Sequence, residues 1–409
     1  MNFIAVIILA ALLVFQVLHI TADVFNLRHM ATQLPEAFKG WFDPERYRQS
    51  QLYLQVNTRF DWVVSIAGLV VFLGFWFGHG FYYLDVWVRQ VFDSAILRGL
   101  LYIGVLVVAR GVIMLPFSIY QTFWIEDRFG FNRTDVKTFV LDLIKQVCLG
   151  AVIGGVLLAA VLWFFIHAGE NAWLYCWLVV VGFMGVMQFI FPAWILPLFN
   201  KFSPLEEGEL RSAILSYAES IGFPLKNVFV MDGSKRSSKS NAFFAGFGRH
   251  KRIVLFDTLI ENHDVDELVG VLAHEMGHYK KKHVHLMMLA GIVEAGIMFY
   301  LLSFFISAQP LFEAFFMEQT PVYAGLLFFG ILYSPIEFFL GLLMKVFSRR
   351  NEYAADRFAA DTTGRPNAFI RALKRLSVNN LSNLQPHPLY VVLNYSHPPV
   401  MERIRAISD

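Results

Sequence analysis

Residues 268–286, LVGVLAHEMGHYKKKHVHL, contain the sequence H-E-x-x-H between an apolar segment and a run of lysines. The apolar segment predicts a helix, and residues four apart on a helix share one face. The imidazoles of His274 and His278 can therefore hold one metal ion. Glu275 then lies beside that ion, where it can take a proton from a bound water molecule. This pattern predicts the core of a zinc hydrolase, with one Zn²⁺ per chain.

A catalytic zinc site usually has three protein ligands and one open position, so a third ligand is needed. The metzincin pattern places Gly and His at fixed positions after the second histidine, but Lys281 and Val284 occupy those positions here. Intramembrane proteases of the site-2 type embed the motif in a spanning helix and use a distant Asp. Here Tyr279 and three lysines follow the motif directly, and such a run belongs at a membrane surface. Both alternatives are therefore excluded.

A glutamate on a later helix is the remaining kind of third ligand. Residues 350–356, RNEYAAD, contain Glu352 and Asp356, four apart and so on one helix face. Glu352 can complete the metal site, and Asp356 can accept a hydrogen bond from the imidazole N–H of a ligand histidine. Without the histidine pair, these two acids would indicate no more than a solvated helix face.

The composition indicates a polytopic membrane protein. Of 409 residues, 56% are hydrophobic and only 16% are charged, far from the values of a soluble globular domain. The formal net charge of +2 gives no general attraction to nucleic acid, so we expect the lipid bilayer and no nucleic acid as a partner. Cys148 and Cys176 both fall in apolar segments, which indicates neither a disulfide framework nor a cysteine metal site.

Segments long enough to cross the hydrocarbon core, about 20 apolar residues each, recur along the chain. We predict seven spans, at about residues 3–20, 62–83, 100–120, 147–166, 173–195, 286–306 and 322–347. Lysine and arginine are concentrated in the connections after the first, third and fifth spans. The positive-inside rule then places these connections, the motif and Glu352 on the cytoplasmic side.

We expect the catalytic domain to be split by two spans. Residues 1–199 would form spans one to five, and residues 286–347 would form spans six and seven. Residues 200–285 and 348–409 would pack together as a small cytoplasmic α+β domain of the zincin type, because neither piece alone holds all three candidate ligands. In the first piece we predict an amphipathic helix at 206–221, and strands at 227–231, 240–246 and 252–256, with a Gly-rich basic turn between the last two.

Five segments together resemble the type-I CAAX prenyl proteases, the integral-membrane zinc metallopeptidases that process prenylated proteins. In chain order they are EDRFGFN at 126–132, SNAFF at 240–244, HEMGH at 274–278, RNEYAAD at 350–356 and SHPP at 396–399. Each segment alone is a weak or moderate signal, whereas five in this order are specific. The resemblance extends over nearly the whole chain.

The resemblance implies a mainly α fold whose seven transmembrane helices enclose a water-filled chamber, with the zinc site at its cytoplasmic end. It implies His274, His278 and Glu352 as zinc ligands and Glu275 as catalytic base. It also implies that three further residues contact the substrate or its transition state, namely Asn241, His397 and Arg403. Family members remove the last three residues of a C-terminal C-a-a-X sequence. We therefore expect a peptide or protein substrate that is cleaved near its C-terminus and is either prenylated or membrane-associated.

Other functions remain open from the sequence. The chain could be a quality-control protease for misfolded or stalled membrane proteins, or a non-catalytic transporter or receptor with seven spans. A short connection after span six, and no retrieval signal at residues 406–409, favour a bacterial member in the inner membrane over a eukaryotic one in the endoplasmic reticulum.

Individual residues near the membrane also carry expectations. Charges inside spans are costly in lipid, so we expect Arg110, Glu294 and Glu337 to line the chamber. We expect His283 and His285 to anchor the chain at the membrane interface.

Overall fold

The computed structural model describes residues 1–31, 33–225, 227–245 and 252–408. Helices dominate the described chain. They are α1 (Phe3–Arg28), α2 (Pro44–Phe77), α3 (Gly80–Val91), α4 (Ala95–Tyr120), α5 (Val136–Leu149), α6 (Gly155–His167), α7 (Ala172–Ile190), α8 (Leu196–Phe199), α9 (Glu209–Ser220), α10 (Asp257–Asn262), α11 (Val265–Lys280), α12 (His283–Phe305), α13 (Gln309–Glu313), α14 (Val322–Thr363), α15 (Pro366–Asn379), α16 (Pro388–Asn394) and α17 (Val400–Ser408). Short π-helical turns at Gln121–Glu126, Gly150–Gly154 and Phe191–Ile195 extend or join these helices.

Among the described residues, seven helical stretches are long and apolar enough to cross a membrane, which confirms the predicted number of spans. They are Phe3–Arg28, Pro44–Phe77, Ala95–Glu126, Val136–His167, Gly169–Phe199, His283–Phe305 and Val322–Thr363. Most of them are longer than predicted, because their helices continue beyond the apolar core into polar ends. The protein is therefore a multi-span membrane protein.

The predicted second span, 62–83, is wrong at its C-terminal end. The helix α2 ends at Phe77, and His79 adopts a left-handed backbone with φ of 60° before α3 begins. A bulky residue seldom adopts this conformation, and the apolar side chains on both sides of the break conceal it in the sequence.

The last spanning helix, α14, continues far beyond the apolar segment. It runs without interruption for 42 residues, and Pro335 lies inside it. Its C-terminal third leaves the apolar segment and packs against α11 as its most extensive partner. A single continuous helix therefore connects the membrane region with the part of the protein that contains the H-E-x-x-H motif.

A four-stranded sheet lies beside α11. Its strands are β1 (Phe202–Pro204), β2 (Asn227–Met231), β3 (Ala242–Ala245) and β4 (Arg252–Phe256). The spatial order is β1-β2-β4-β3, with β2 parallel to β4 and the other two pairs antiparallel. The predicted strands at 227–231 and 252–256 agree with β2 and β4, whereas β1 has no counterpart in the prediction. The predicted Gly-rich turn, residues 247–251, and the last residue of the predicted strand 240–246 lie outside the described residues.

The membrane region and the sheet-containing region share a hydrophobic cluster. Phe129 and Phe131, from the segment EDRFGFN, are buried together with Leu381 and Ile404 from the C-terminal part of the chain. Lys239, just before β3, donates a hydrogen bond of 2.8 Å to Glu126 Oε2 of the same segment. This ion pair and the aromatic cluster hold the segment before β3 against the membrane helices.

Candidate metal centre

The helix α11 has a defined start and a buried apolar face. Asp264 precedes it, and its side chain accepts a hydrogen bond from the backbone N–H of Glu267 at 2.8 Å. A cap of this kind contributes about 1 kcal/mol to helix stability. Leu268 and Leu272 are fully buried one turn apart. Packing of this apolar face fixes the rotation of the helix, and so it fixes the direction of the side chains one turn further on.

The side chains of the three predicted metal ligands lie close together. His274 and His278 lie one turn apart on α11, and their Nε2 atoms are 3.1 Å apart. Glu352 reaches them from α14, with Oε2 at 3.4 Å from His274 Nε2 and Oε1 at 3.2 Å from His278 Nε2. One ligand atom from each residue lies within 4.8 Å of the others. Two imidazoles and one carboxylate with room for a further ligand are typical of catalytic zinc sites.

The electrostatics of the cluster fit a bound cation. Glu352 Oε2 is buried, and its contact with His274 Nε2 is long, at 3.4 Å. Burial lowers the pKa of His274, but the hydrogen bonds to Asp356 and Glu352 outweigh burial and raise the pKa to about 9. The carboxylates therefore favour a positive charge at the imidazole, and a metal ion at Nε2 would supply that charge in place of the proton.

Asp356 and Arg403 support the first ligand. Asp356 is 1% exposed, and its Oδ1 accepts a hydrogen bond from His274 Nδ1 at 2.8 Å, as the sequence predicts. Arg403 donates to both oxygens of Asp356, from Nη2 at 2.6 Å and from Nε at 2.8 Å. Its Nη2 also lies 3.9 Å from Glu352 Oε2. The guanidinium thus faces the carboxylates that surround His274.

Glu275 follows the first ligand on α11 and does not belong to the ligand cluster. Its side chain is half-buried. Burial raises the pKa of its carboxyl group. A carboxylate with a raised pKa beside a metal site is a stronger base than an ordinary surface glutamate.

The two remaining predicted site residues lie at the edges of the centre. His397 is exposed at 63% of its side chain, and its Nε2 lies 3.3 Å from Glu352 Oε1. Asn241 is exposed immediately before β3, and its Oδ1 accepts a hydrogen bond from the N–H of Ala242 at 2.8 Å. The structure thus brings His397 to the ligands and leaves Asn241 at the edge of the sheet.

Two residues of the motif region contribute in ways that the sequence analysis missed. A Cβ atom on Gly277 would lie 3.3 Å from both the Cα and the carbonyl oxygen of Ala355, on the facing helix. The absence of a side chain therefore lets α11 and α14 approach closely enough for Glu352 to reach the histidines. A glycine in the middle of an otherwise helical pattern is the available signal, since it lowers helix stability unless packing requires it.

His283 is the second missed residue, and its predicted role as an interfacial anchor is wrong. The structure buries it to 6% exposure against His278. The lysine run before His283 indicates a membrane surface, and for that reason the contact with His278 was not predicted.

We expect Gly277→Val to weaken metal binding by at least about tenfold, because a branched side chain would push α14 away from α11 and move Glu352 out of reach. Zinc affinity measured by competition with a chelator tests this. Gly341→Val, at a helical glycine of α14 with open space around it, is the matched control and should retain wild-type affinity. Equal affinities in both variants would contradict the role given to Gly277.

Comparisons with known proteins agree with this geometry. Residues 23–201 match the family described as the CAAX prenyl protease N-terminal region with five membrane helices, and residues 204–409 match peptidase family M48. The chain is 35% identical over 407 residues to CAAX prenyl protease 1 homolog of Arabidopsis thaliana, covering 96% of this chain and 95% of that protein. It is 34% identical to CAAX prenyl protease 1 of Saccharomyces cerevisiae, covering 92% and 88% of the two chains.

A solved structure has the same fold. The crystal structure of S. mikatae Ste24p superimposes with a TM-score of 0.95, at 31% sequence identity and over 100% of both chains. The likeness thus includes the membrane helices, the sheet and the helices that contribute the metal cluster. The chain belongs to the CAAX prenyl protease family, within peptidase family M48, and it is a membrane metalloprotease.

Proposed function

We propose that this protein is a zinc-dependent endopeptidase that cleaves near the C-terminus of prenylated or membrane-associated proteins. One observation carries the proposal: ligand atoms of His274, His278 and Glu352 lie within 4.8 Å of one another, and Glu275 stands beside them on α11. A structural zinc site would close its fourth position with a further Cys or His. A free glutamate next to three ligands instead supports hydrolysis.

The proposed chemistry is metal-assisted hydrolysis of a peptide bond. Zinc, held by His274, His278 and Glu352, would polarise the scissile carbonyl group and lower the pKa of a water molecule. The carboxylate of Glu275 takes the proton of the attacking water and delivers it to the nitrogen of the leaving amine.

Donors for the negative charge of the tetrahedral intermediate come from the edge of the centre. His397 is the better placed of the two candidates, because its ring is exposed and its Nε2 lies 3.3 Å from a ligand carboxylate. Arg403 directs its Nε and Nη2 to Asp356, so its main contribution is to hold Asp356 on His274. The positive charge of Arg403 still faces the centre.

The edge of the sheet supports peptide binding. The strand β3 pairs with β4 on one side, and among the described strands none lies on its other side. An extended substrate can add to such an edge through backbone hydrogen bonds. Asn241 lies at the start of this strand, where its side-chain amide can contact the substrate backbone.

Apolar clefts beside the metal centre support a lipid-modified or membrane-associated substrate. A cleft of about 390 Å³ between α7, α12 and α14 is lined by His278 and His283 and by methionines such as Met184 and Met287. A neighbouring cleft of about 500 Å³ shares Met184 with it and reaches Phe244 of the edge strand. The relatives named above are CAAX prenyl proteases, and a prenyl chain on a C-a-a-X substrate has the apolar character that these clefts require.

The remaining features of the proposal concern the membrane. We place the metal centre on the cytoplasmic side, since the lysine- and arginine-rich connections lie there by the positive-inside rule. We assign the catalytic domain to residues 200–285 and 348–409, separated by two spans at 286–347.

We also propose that the spans enclose a chamber lined by Arg110, Glu294 and Glu337. A transporter or receptor function is not favoured, because the chain belongs to a protease family.

The test uses zinc-loaded protein in detergent and two peptides with the same C-a-a-X sequence, one farnesylated on the cysteine and one unmodified. We expect release of the last three residues from the farnesylated peptide, mapped by mass spectrometry, and loss of cleavage when a chelator removes the metal. Equal cleavage of both peptides would favour the quality-control function. Cleavage of neither, by protein with zinc bound, would refute the proposal.

A further inference from the structure

The second histidine ligand has a partner that the proposed mechanism does not use. His278 Nδ1 lies 3.0 Å from Nδ1 of His283. The two rings meet edge to face, with centroids 5.1 Å apart and an angle of 73° between their planes. His283 is 6% exposed, so little water competes for this hydrogen bond.

The direction of the hydrogen bond follows from the metal site. Nε2 of His278 faces the other ligands, at 3.2 Å from Glu352 Oε1 and 3.1 Å from His274 Nε2. A nitrogen that binds a metal carries no proton, so the single proton of a neutral His278 ring lies on Nδ1. His278 Nδ1–H therefore donates to His283 Nδ1, and His283 carries its own proton on Nε2.

The arrangement parallels the one around the first ligand. His274 Nδ1 donates to the carboxylate of Asp356 at 2.8 Å, and His278 Nδ1 donates to the imidazole of His283 at 3.0 Å. Ligand histidines generally donate their second N–H to such a partner, which fixes both the tautomer and the ring orientation. A neutral imidazole at His283 orients the ligand without adding a further negative charge to the centre.

The backbone is shaped to bring His283 back to His278. The helix α11 ends at Lys280 and α12 begins at His283, so only two residues join them. Lys282 adopts a left-handed conformation with φ of 59°, which a residue with a side chain rarely does. The N–H of Lys282 bonds to the carbonyl oxygen of Tyr279 at 2.9 Å, which closes the turn. A strained turn that buries a histidine against a metal ligand indicates a function for that histidine.

We propose that His283 is a positioning residue that holds His278 in its metal-binding tautomer and orientation, and so sets the zinc affinity of the site. This inference rests on the proposed zinc function. The role of His283 is nevertheless a separate claim from zinc binding, because zinc could bind in the wild-type protein whether or not His283 contributes.

Variants at position 283 separate the hydrogen bond from the packing. Asn and Leu have nearly the same shape, but only Asn offers an acceptor close to the place of Nδ1. Gln is also polar, but its amide extends to the place of Nε2. We expect His283→Leu and His283→Gln to weaken zinc binding about 10- to 100-fold, whereas His283→Asn stays within about threefold of wild type.

Zinc affinity of the full-length protein in detergent, measured by chelator competition, is the main readout. The visible absorption of the Co²⁺-substituted protein is the second, since it reports ligand geometry and should change in the Leu and Gln variants only. Lys281→Ala, at an exposed residue of the same turn, is the control and should bind as wild type.

The outcomes distinguish the two proposals. Equal zinc affinity in the Asn and Leu variants, or in the Asn and Gln variants if Leu prevents folding, would overturn the role of His283. Absence of zinc binding in the wild-type protein would instead overturn the proposed zinc function.

Discussion

Glu275→Gln is expected to reduce the turnover of a farnesylated C-a-a-X peptide by about 10²- to 10⁴-fold, the range that a positioned general base contributes. Gln has the shape of Glu but cannot accept the proton of the attacking water. Glu275 is not one of the three residues of the ligand cluster, so the variant should keep its zinc. Loss of activity with full metal content is the signature of a missing base.

Two measurements on the same preparation test this prediction, namely turnover by mass spectrometry and zinc content by elemental analysis. Glu261→Gln, at an exposed position on the neighbouring helix α10, is the matched control and should leave both unchanged. Burial raises the pKa of Glu275, which strengthens it as a base. Full turnover by zinc-loaded Glu275→Gln would remove Glu275 from the mechanism, and loss of zinc would make it a ligand.

Local spacing explains why part of the centre can be predicted from sequence. His274 and His278 are brought together by a single helical turn, so their contact does not depend on the rest of the fold. The seven spans follow from hydropathy for a similar reason, since each is a property of one continuous segment. Glu352 could be proposed only because its segment, RNEYAAD, has a recognisable pattern.

Contacts between distant elements explain the predictions that failed. The role of Gly277 was missed because it depends on the close approach of α14 to α11 at Ala355, and a glycine within one helix does not show which distant helix packs against it. The contact between His278 and His283 requires a left-handed lysine, and the left-handed conformation of His79 likewise broke a predicted span. A left-handed backbone is usually predicted from the presence of glycine, so a lysine or histidine in this conformation cannot be recognised from the sequence.

The order of the strands was equally hidden. The sequence predicts that 240–246 forms a strand, but β3 lies at the edge only because β4 inserts between it and β2. The parallel pairing of β2 with β4 joins segments that are separated by β3 in the chain. The proposed peptide-binding edge is thus a consequence of topology, which the alternation of apolar residues does not determine.

Glu352→Ala is expected to weaken zinc binding by more than 100-fold, or about 2.7 kcal/mol, since loss of a direct ligand exceeds the effect of losing a supporting hydrogen bond. The effect should extend to stability. Glu352 belongs to α14 and the histidines to α11, so a bound metal ion would join the long membrane helix to the motif helix. A ligand present at 100 times its Kd stabilises the folded state by about 2.7 kcal/mol, and zinc should therefore raise the Tm of the wild-type protein.

Thermal unfolding with and without zinc tests this second prediction. The Tm of Glu352→Ala should not respond to zinc, whereas Asp361→Ala, at an exposed position on the same helix, should respond as the wild type does. The carboxylates of Asp356 and Glu352 together raise the pKa of His274. Removal of the Glu352 carboxylate takes one of these two negative charges from the centre, and this loss lowers the affinity of the centre for any cation. A Tm that rises equally with zinc in Glu352→Ala and in the wild type would show that the metal does not connect α11 to α14, and the proposed ligand set would then be wrong.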